Sequence, residues 1–235
     1  MKSKKHPSCA VVIAAAGASR RFGGEDKLFA PIGGTPALAR TLAAFQRCGA
    51  IREIVVVARE RELTRVAELV AEYSITKASR VIVGGATRLE SVYNGVFAVT
   101  PSVKLIAVHD GARPLVTEEV IADAVSMAAK HAAAAPAVPV KPTVKRAKNG
   151  VVTETLDRDG LFEAQTPQVF EASVLKGALT NARDKRLDVT DDGAAAEAIG
   201  VAVWLTKGSY ENIKLTTAED LILAEAILSR RERIL

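Results

Sequence analysis

Cys9-Ala10-Val11-Val12-Ile13-Ala14-Ala15-Ala16-Gly17-Ala18-Ser19-Arg20-Arg21-Phe22-Gly23-Gly24-Glu25-Asp26-Lys27 is the stretch on which the fold turns. Its first eight residues, Cys9 to Ala16, are apolar, with β-branched Val11, Val12 and Ile13 in the middle, and they run directly into a small-residue basic loop. An unbroken apolar run of this length, without polar alternation, reads as a strand buried on both faces, as in a parallel α/β sheet. Lys2, Lys4 and Lys5 in front of it imitate the basic start of a signal peptide. The brevity of the run, its β-branched centre and its Gly-rich sequel favour a first strand instead. No other stretch is long enough to cross a bilayer, so no membrane partner is expected.

Working outward, apolar strand-like runs recur at Ala10 to Ala15, Glu53 to Ala58, Arg80 to Val83 and Lys104 to Val108. Helical patterns separate them at Pro36 to Cys48, Glu60 to Tyr73 and Thr87 to Val99. This βαβαβαβ alternation predicts a mostly parallel sheet with helices on both faces, built from right-handed crossovers, with ligands beyond the carboxyl ends of the strands. A further helix is expected over Thr117 to His131, followed by the Pro-punctuated stretch Pro136 to Pro142. The polar segment Thr143 to Arg158, with its Asn149-Gly150 turn signal, predicts a β-hairpin. The domain reading is therefore one domain over residues 1–235, with residues 138–160 as an arm. A hairpin leaving a compact domain needs something to pack on, which suggests a homodimer with exchanged arms. Helices near Glu171 to Asn181 and Thr190 to Ile199, a strand at Val201 to Leu205 and a closing helix from Thr217 complete the chain.

Composition narrows the function classes. A hydrophobic share of 49% and a charged share of 25% in 235 residues exclude a disordered or collagen-like chain. The net charge of +5 suits an anionic partner. Single-strand binders interleave cations with stacking aromatics, whereas this chain is only 4% aromatic with no such alternation. Small phosphates rather than nucleic acid are expected. Cys9 and Cys48 lack CxxC or metal-ligand spacing, so neither a disulfide framework nor a zinc site is expected, and a reducing cytoplasm follows.

The loop from Ala14 to Lys27 has the parts phosphate binding requires. It offers exposed backbone N–H groups and then Arg20, Arg21 and Lys27 for charge-assisted hydrogen bonds. No Walker sequence is present, since Leu28 follows Lys27, and no GxGxxG occurs. A flexible surface loop with solvated charges is the plain alternative.

At this loop Ala-Ala-Gly-x-x-x-Arg-Phe followed by Lys resembles the nucleotide signature of sugar-phosphate nucleotidyltransferases. Further segments follow in order: Gly84-Gly85-Ala86-Thr87-Arg88-Leu89-Glu90-Ser91, Val108-His109-Asp110-Gly111-Ala112-Arg113-Pro114, Gln165-Thr166-Pro167-Gln168, Val189-Thr190-Asp191-Asp192 and Asn212-Ile213-Lys214. The ordered set is similar to the 2-C-methyl-D-erythritol 4-phosphate cytidylyltransferase family, over nearly the whole chain from Cys9 to the last helix. Two positions depart from that pattern: Ser19 stands at a family Gly, and Leu28 at a family Gln.

The resemblance implies an α/β, Rossmann-like three-layer nucleotidyltransferase fold with a mostly parallel sheet and a protruding β-hairpin arm. It implies transfer of a cytidylyl group from CTP to 2-C-methyl-D-erythritol 4-phosphate, with release of pyrophosphate, in the non-mevalonate isoprenoid route. Arg21, Lys27 and Lys214 would be catalytic. Ala15, Ala16, Gly17, Gly85, Ser91 and Asp110, with Arg21 and Lys27, would hold CTP. Arg113, Thr143, Arg158, Thr166 and Thr190, with Asp110 and Lys214, would hold the polyol phosphate, Thr143 and Arg158 reaching across a dimer interface. A magnesium ion is implied, held mainly by the CTP phosphates with Asp110 nearby.

Several of these residues also have simpler readings. Thr87 with Glu90 forms a capping-box pattern, and Thr190-Asp191-Asp192 would serve as a helix N-cap with acids in the first turn. His109 reads as a structural hydrogen-bonder before a catalyst. Arg113 and Lys214 could be ordinary surface cations. Two rival functions remain open at this point, a ribitol-5-phosphate cytidylyltransferase and a non-catalytic nucleotide-binding module.

Overall fold

The computed structural model describes residues 8–17 and 26–234. Arg21 and Ser19 lie outside these residues. The first half is the expected βα alternation. Strand β1 (Cys9–Ala15) is followed by the two-residue strands β2 (Pro31–Ile32) and β3 (Thr35–Pro36), then α1 (Ala37–Arg47), β4 (Ile51–Ala58) and α2 (Leu63–Glu72). Next come β5 (Ala78–Val83), α3 (Arg88–Ala98), β6 (Leu105–Asp110) and α4 (Glu118–His131). The second half holds β7 (Ala133–Pro139), β8 (Lys145–Lys148), β9 (Val151–Thr155), β10 (Phe162–Ala164) and β11 (Gln168–Glu171). It closes with α5 (Ala172–Asp184), α6 (Asp192–Glu197), β12 (Trp204–Lys207) and α7 (Glu219–Ile234).

The central sheet has eight strands in the order β10-β7-β11-β6-β1-β4-β5, with β12 on the far side of β7. β1, β4, β5 and β6 run parallel, as does β12 with β7, while β10 and β11 run against their neighbours. From β1 the chain steps outward one way through β4 and β5, then returns to place β6 on the other side of β1. That reversal opens a crevice at the carboxyl ends of β1 and β6, the place where open α/β sheets bind ligands. Ala14 and Asp110 sit side by side there in register.

Period-two alternation along β1 divides the core into two layers. Cys9, Val11, Ile13 and Ala15 face α1, α2, α4 and α7, packing with Leu38, Phe45, Leu69, Ile121 and Ile227. Ala10 and Val12 face α3, α5 and α6, packing with Val92, Val96, Leu175, Leu179 and Ala195. The result is the helix–sheet–helix arrangement expected from the sequence. Among the described residues no helix is long and apolar enough to cross a membrane.

Gly95 sets the approach of α3 to the sheet. A Cβ there would lie against the Val12 side chain and 2.7 Å from Val57 Cγ2, with both valines fully buried. Gly95→Ala therefore sets a helix-propensity gain of about 1 kcal/mol against overpacking of roughly 1–3 kcal/mol. The sheet cannot withdraw, so overpacking should win: the variant is expected to lose about 1 kcal/mol or more in urea unfolding, and an unchanged midpoint would contradict this packing.

Four strands of the second half differ from the sequence expectation. β7 occupies part of the Pro-punctuated stretch Pro136 to Pro142, for which no strand was expected, and its residues Ala133 to Pro139 have weak strand propensity. Pro136, which has no N–H to donate, falls between the β11 pairing at Ala134 and the β10 pairing at Ala137. β10 and β11 are short and gain their definition only from β6 and β7. The last strand runs over Trp204–Lys207 rather than Val201 to Leu205. The expected hairpin is present: β8 and β9 form a separate two-stranded sheet, turned by Asn149 at φ 50° and Gly150 at φ 80°. Both strands are exposed along their whole length.

Candidate active site

The crevice is a cleft of about 360 Å³ at the switch point. Ala15, Ala16 and Gly17 enter it from the end of β1, Gly85 and Ser91 from the β5–α3 junction, Asp110 from the end of β6, and Lys27 and Lys214 from the loops around them. Residues spread over two hundred positions of sequence thus converge because each follows a strand or precedes a helix at the same edge of the sheet.

The apolar end of the cleft depends on close backbone approach. A Cβ on Gly84 would stand 2.6 Å from Ala16 Cβ and 2.8 Å from Ser91 Oγ, so glycine at this position lets the segment leaving β5 approach the one leaving β1. Ser91, buried on α3, accepts the Gly85 N–H at 3.0 Å and donates to the Thr87 carbonyl at 2.9 Å. It holds the Gly-Gly turn to the helix start. Thr87 and Glu90 form the expected capping box, each side chain accepting the other's backbone N–H. The capping function and a place in the cleft wall coexist, because Thr87 also lines the cleft.

The charged end is organised around Asp110. Its Oδ2 accepts from Lys214 Nζ at 3.0 Å and from Arg113 Nε at 3.2 Å. Arg113 also donates to the Asn212 carbonyl at 2.7 Å, and Lys27 Nζ donates to the Leu215 carbonyl at 2.9 Å. These bonds draw the 212–215 segment against the ends of β1 and β6. Asp220 tightens the same connection by accepting the Thr216 and Thr217 backbone N–H groups at 2.6 and 2.9 Å. Leu28, at the position of a family Gln, is a core residue that also lines the cleft.

Burial on its own would raise the Asp110 pKa, but Lys214, Arg113 and Arg88 outweigh it and hold the carboxyl at about 2. The folded value lies below the ordinary value of about 3.9. The ionised form therefore contributes stability that is present above about pH 4 and lost as pH falls through about 2. The Asp110 carboxyl ¹³C shift is accordingly expected to stay constant from pH 8 down to about 4, and a titration centred above pH 4 would contradict the ion-pair cluster.

Arg88, which sequence reasoning quoted but gave no role, lines the cleft. Its guanidinium binds both oxygens of Asp192, at 3.1 and 2.8 Å, joining the first turns of α3 and α6. Asp192 is 1% exposed, and burial raises its pKa despite the pairing. The signal available in sequence was an Arg at the start of a helix after a Gly-Gly turn, but its partner 104 residues away was not legible. The cap of α6 falls on Asp191, whose side chain accepts from Ala194 N–H, and not on Thr190, which is exposed.

A second cleft, of about 270 Å³, opens beside the first and shares Lys214 with it. Arg113, Gln165, Tyr210 and Asn212 contribute to its wall. Thr166 is buried between the two regions, its hydroxyl bonded to the Asp110 N–H and to His109. Thr143 and Arg158 are exposed at the base of the hairpin arm and line neither cleft within one chain. Arg158 donates to the Lys141 carbonyl at 2.6 Å.

A doubly wound sheet whose switch-point cleft joins a glycine-bounded apolar end to a group of cations is suited to a nucleotide, and its relatives define the class as nucleotidyltransferase. The family profile of 2-C-methyl-D-erythritol 4-phosphate cytidylyltransferase matches residues 9–230. The chain is 45% identical over 224 residues to the enzyme of that name from Halalkalibacterium halodurans, covering 95% of this chain and 98% of the relative. It is 41% identical over 226 residues to that of Pelotomaculum thermopropionicum, covering 95% of each. The crystal structure of 4-diphosphocytidyl-2C-methyl-D-erythritol synthase from Anaerococcus prevotii superposes with a TM-score of 0.84 at 29% identity, covering 95% of this chain and 97% of that one. The Thermus thermophilus cytidylyltransferase structure gives 0.79 at 32% identity, covering 94% and 98%. The chain belongs to the 2-C-methyl-D-erythritol 4-phosphate cytidylyltransferase family.

Proposed function

We propose that the chain joins CTP to 2-C-methyl-D-erythritol 4-phosphate, giving 4-diphosphocytidyl-2-C-methyl-D-erythritol and pyrophosphate in isoprenoid synthesis by the non-mevalonate route. The observation that carries this reading is the meeting of two clefts at Lys214, beside the Asp110–Arg113 pair. CTP occupies the larger cleft, its base at the Ala15, Ala16, Gly85 and Ser91 end and its phosphates toward Lys27 and Lys214. Arg21, outside the described residues, is assigned to the same phosphates by the family resemblance alone. The polyol phosphate enters by the second cleft, where Arg113 offers a guanidinium and Gln165 and Asn212 offer polar walls.

A phosphate oxygen of the polyol phosphate attacks the α-phosphorus of CTP. The bond from that phosphorus to the oxygen bridging toward the β-phosphate breaks, and pyrophosphate leaves with its electron pair. The substrates are both anions, so catalysis consists of holding them in line and neutralising the charge that grows on the α-phosphoryl and leaving oxygens. Lys214 is placed for that work between the two clefts. Magnesium is part of the proposal. Among the described residues no group of three or more His, Cys, Asp or Glu side chains could hold a metal, and Asp110, the carboxylate of the larger cleft, is already paired. This donor set fits an ion carried chiefly by the triphosphate, which would supply further charge neutralisation there.

A homodimer with exchanged arms belongs to the same reading. Val151 and Val152 are 67% and 55% exposed on an isolated hairpin, a form that is marginal in water without a partner surface. A second copy's arm would bring its own Thr143 and Arg158 to a cleft that one chain does not reach. A cytoplasmic location and the lack of a nucleic-acid partner go with this assignment.

The test is pyrophosphate release by the purified protein with CTP and magnesium, offering methylerythritol 4-phosphate and ribitol 5-phosphate in parallel. Faster release with the first, by ~10-fold or more, is expected, the range a pocket can draw from one methyl group. Preference for ribitol phosphate would overturn the substrate, and release with neither would reduce the chain to a nucleotide-binding module.

A further inference from the structure

Asp110 has a neighbour whose place in the cluster the reaction scheme leaves unused. His109 precedes it on β6 and points to the opposite face of the sheet. There it is fully buried, its ring edge-to-face with Phe45 at a centroid distance of 4.8 Å. Both ring nitrogens have partners. Nδ1 lies 2.9 Å from Thr166 Oγ1, and Nε2 lies 3.3 Å from the Arg113 carbonyl oxygen.

These partners leave one proton arrangement. The Arg113 carbonyl only accepts, so Nε2 must carry the hydrogen. Thr166 Oγ1 already accepts the Asp110 N–H at 3.2 Å, which leaves its own proton for a bare Nδ1. The hydrogen bonds then run in one direction, from the Asp110 N–H to Thr166, from the Thr166 hydroxyl to His109, and from His109 to the Arg113 carbonyl. A second ring proton would break this order by taking from the Thr166 hydroxyl proton its Nδ1 acceptor. Burial holds the His109 pKa down at about 3, against the pull of Asp110, so the ring is neutral throughout the working range.

The ring closes the turn that carries the ion pair. The Arg113 N–H donates to the Asp110 carbonyl at 3.1 Å, and its own carbonyl is the group His109 holds. Arg113 is thus fixed at both backbone poles, and its side chain leaves that fixed point to meet Asp110 and the Asn212 carbonyl. We infer that His109 is a positioning residue: a neutral imidazole in its Nε2–H form that tethers the Arg113 backbone, so that the Asp110–Arg113–Lys214 cluster faces the polyol phosphate in register. The inference rests on the proposed reaction. It separates His109 from direct proton transfer, since neither nitrogen reaches a cleft.

Three substitutions divide the two hydrogen bonds. In His109→Gln the side-chain amide can still donate near the Nε2 position; in His109→Asn an amide oxygen can still accept near Nδ1; His109→Leu keeps bulk and neither bond. The Asn and Leu variants are expected to lose ~10 to 100-fold in kcat/KM for the polyol phosphate, the scale of loss a displacement of about 1 Å causes. The Gln variant should stay within about 3-fold of the unmutated protein. CTP affinity, measured by calorimetry on the folded protein, should change by less than about 3-fold in all of them, because the base-binding end is untouched. Equal losses in Gln and Asn, or losses that follow CTP affinity or the folded fraction, overturn the positioning role. A second readout uses the unmutated protein: ring ¹⁵N shifts at pH 7 should show a protonated Nε2 and a bare Nδ1, and an Nδ1–H or doubly protonated ring overturns it. An unmutated protein that releases no pyrophosphate removes the reaction itself, an outcome distinct from an active protein whose variants lose activity equally.

Discussion

Replacing Lys214 with methionine should lower kcat by ~10² to 10³-fold, the loss that follows removal of one preorganised donor from developing transition-state charge, about 2.7–4 kcal/mol. Lys214 lines both clefts, so its ammonium stands where the two substrates meet. Its pairing with Asp110 at 3.0 Å keeps it aimed there before substrate arrives, which reduces reorganisation in the reaction. The fold should tolerate the change. The Lys214 side chain is 40% exposed, and Asp110 retains Arg113 at 3.2 Å, so the loss of stability should stay near the small value of an exposed ion pair, below about 1 kcal/mol. Initial rates at saturating CTP and polyol phosphate, beside a urea melt, test both halves. A kcat within about 3-fold of the unmutated protein would remove Lys214 from the chemistry, and a melt shifted in proportion to the rate would make its role structural.

Arg88→Met should produce the opposite pattern, with stability as the main casualty. Arg88 is the hydrogen-bonding partner of both Asp192 oxygens, and Asp192 is 1% exposed at the buried start of α6. Breaking a buried pair from one side costs about 3–5 kcal/mol because the remaining charge has no compensation. The Arg88 side chain is 37% exposed, so the lower end of that range is expected. The pH dependence has a definite sign. Burial already raises the Asp192 pKa, and removing Arg88 takes away the charge that opposes this rise. A carboxyl whose folded pKa lies above its unfolded value binds its proton more tightly when folded, so the variant should gain stability as pH falls. Urea melts at pH 7.5 and 5.5 should show the gap to the unmutated protein narrowing at the lower pH. A gap below about 1 kcal/mol, or one independent of pH, would contradict a buried uncompensated carboxylate.

The site was legible in sequence where a residue follows directly from local chain geometry. Asp110 could be placed at the crevice because it lies just past a predicted strand, and such ends gather at one edge of a parallel sheet, whereas Gly85 and Ser91 entered through the family resemblance. Lys27 and Lys214 entered through their motifs and are brought together by the Leu215 carbonyl and Asp110. The partnership of Arg88 with Asp192 was not legible, because it joins helices from distant parts of the chain. The roles of Thr166 and His109 in ordering Asp110 and Arg113 were likewise hidden: each needs the antiparallel pairing of β11 with β6 to become neighbours. Arg21 lies outside the described residues.

Local pattern alone determined the four parallel strands of the first half, the helices between them and the Asn149-Gly150 hairpin. Hydrophobic period, strand length and turn chemistry are properties of a few adjacent residues, and there they agree. Tertiary structure decided the rest. β7 is a strand despite its alanines and prolines because β12, β11 and β10 supply hydrogen bonds along its two edges. A weak local preference can be overridden in this way because burial and pairing with neighbouring strands contribute more than intrinsic propensity. The same long-range pairing sets Thr166 against His109 and Asp110, so the arrangement of the charged cluster is a product of the folded sheet.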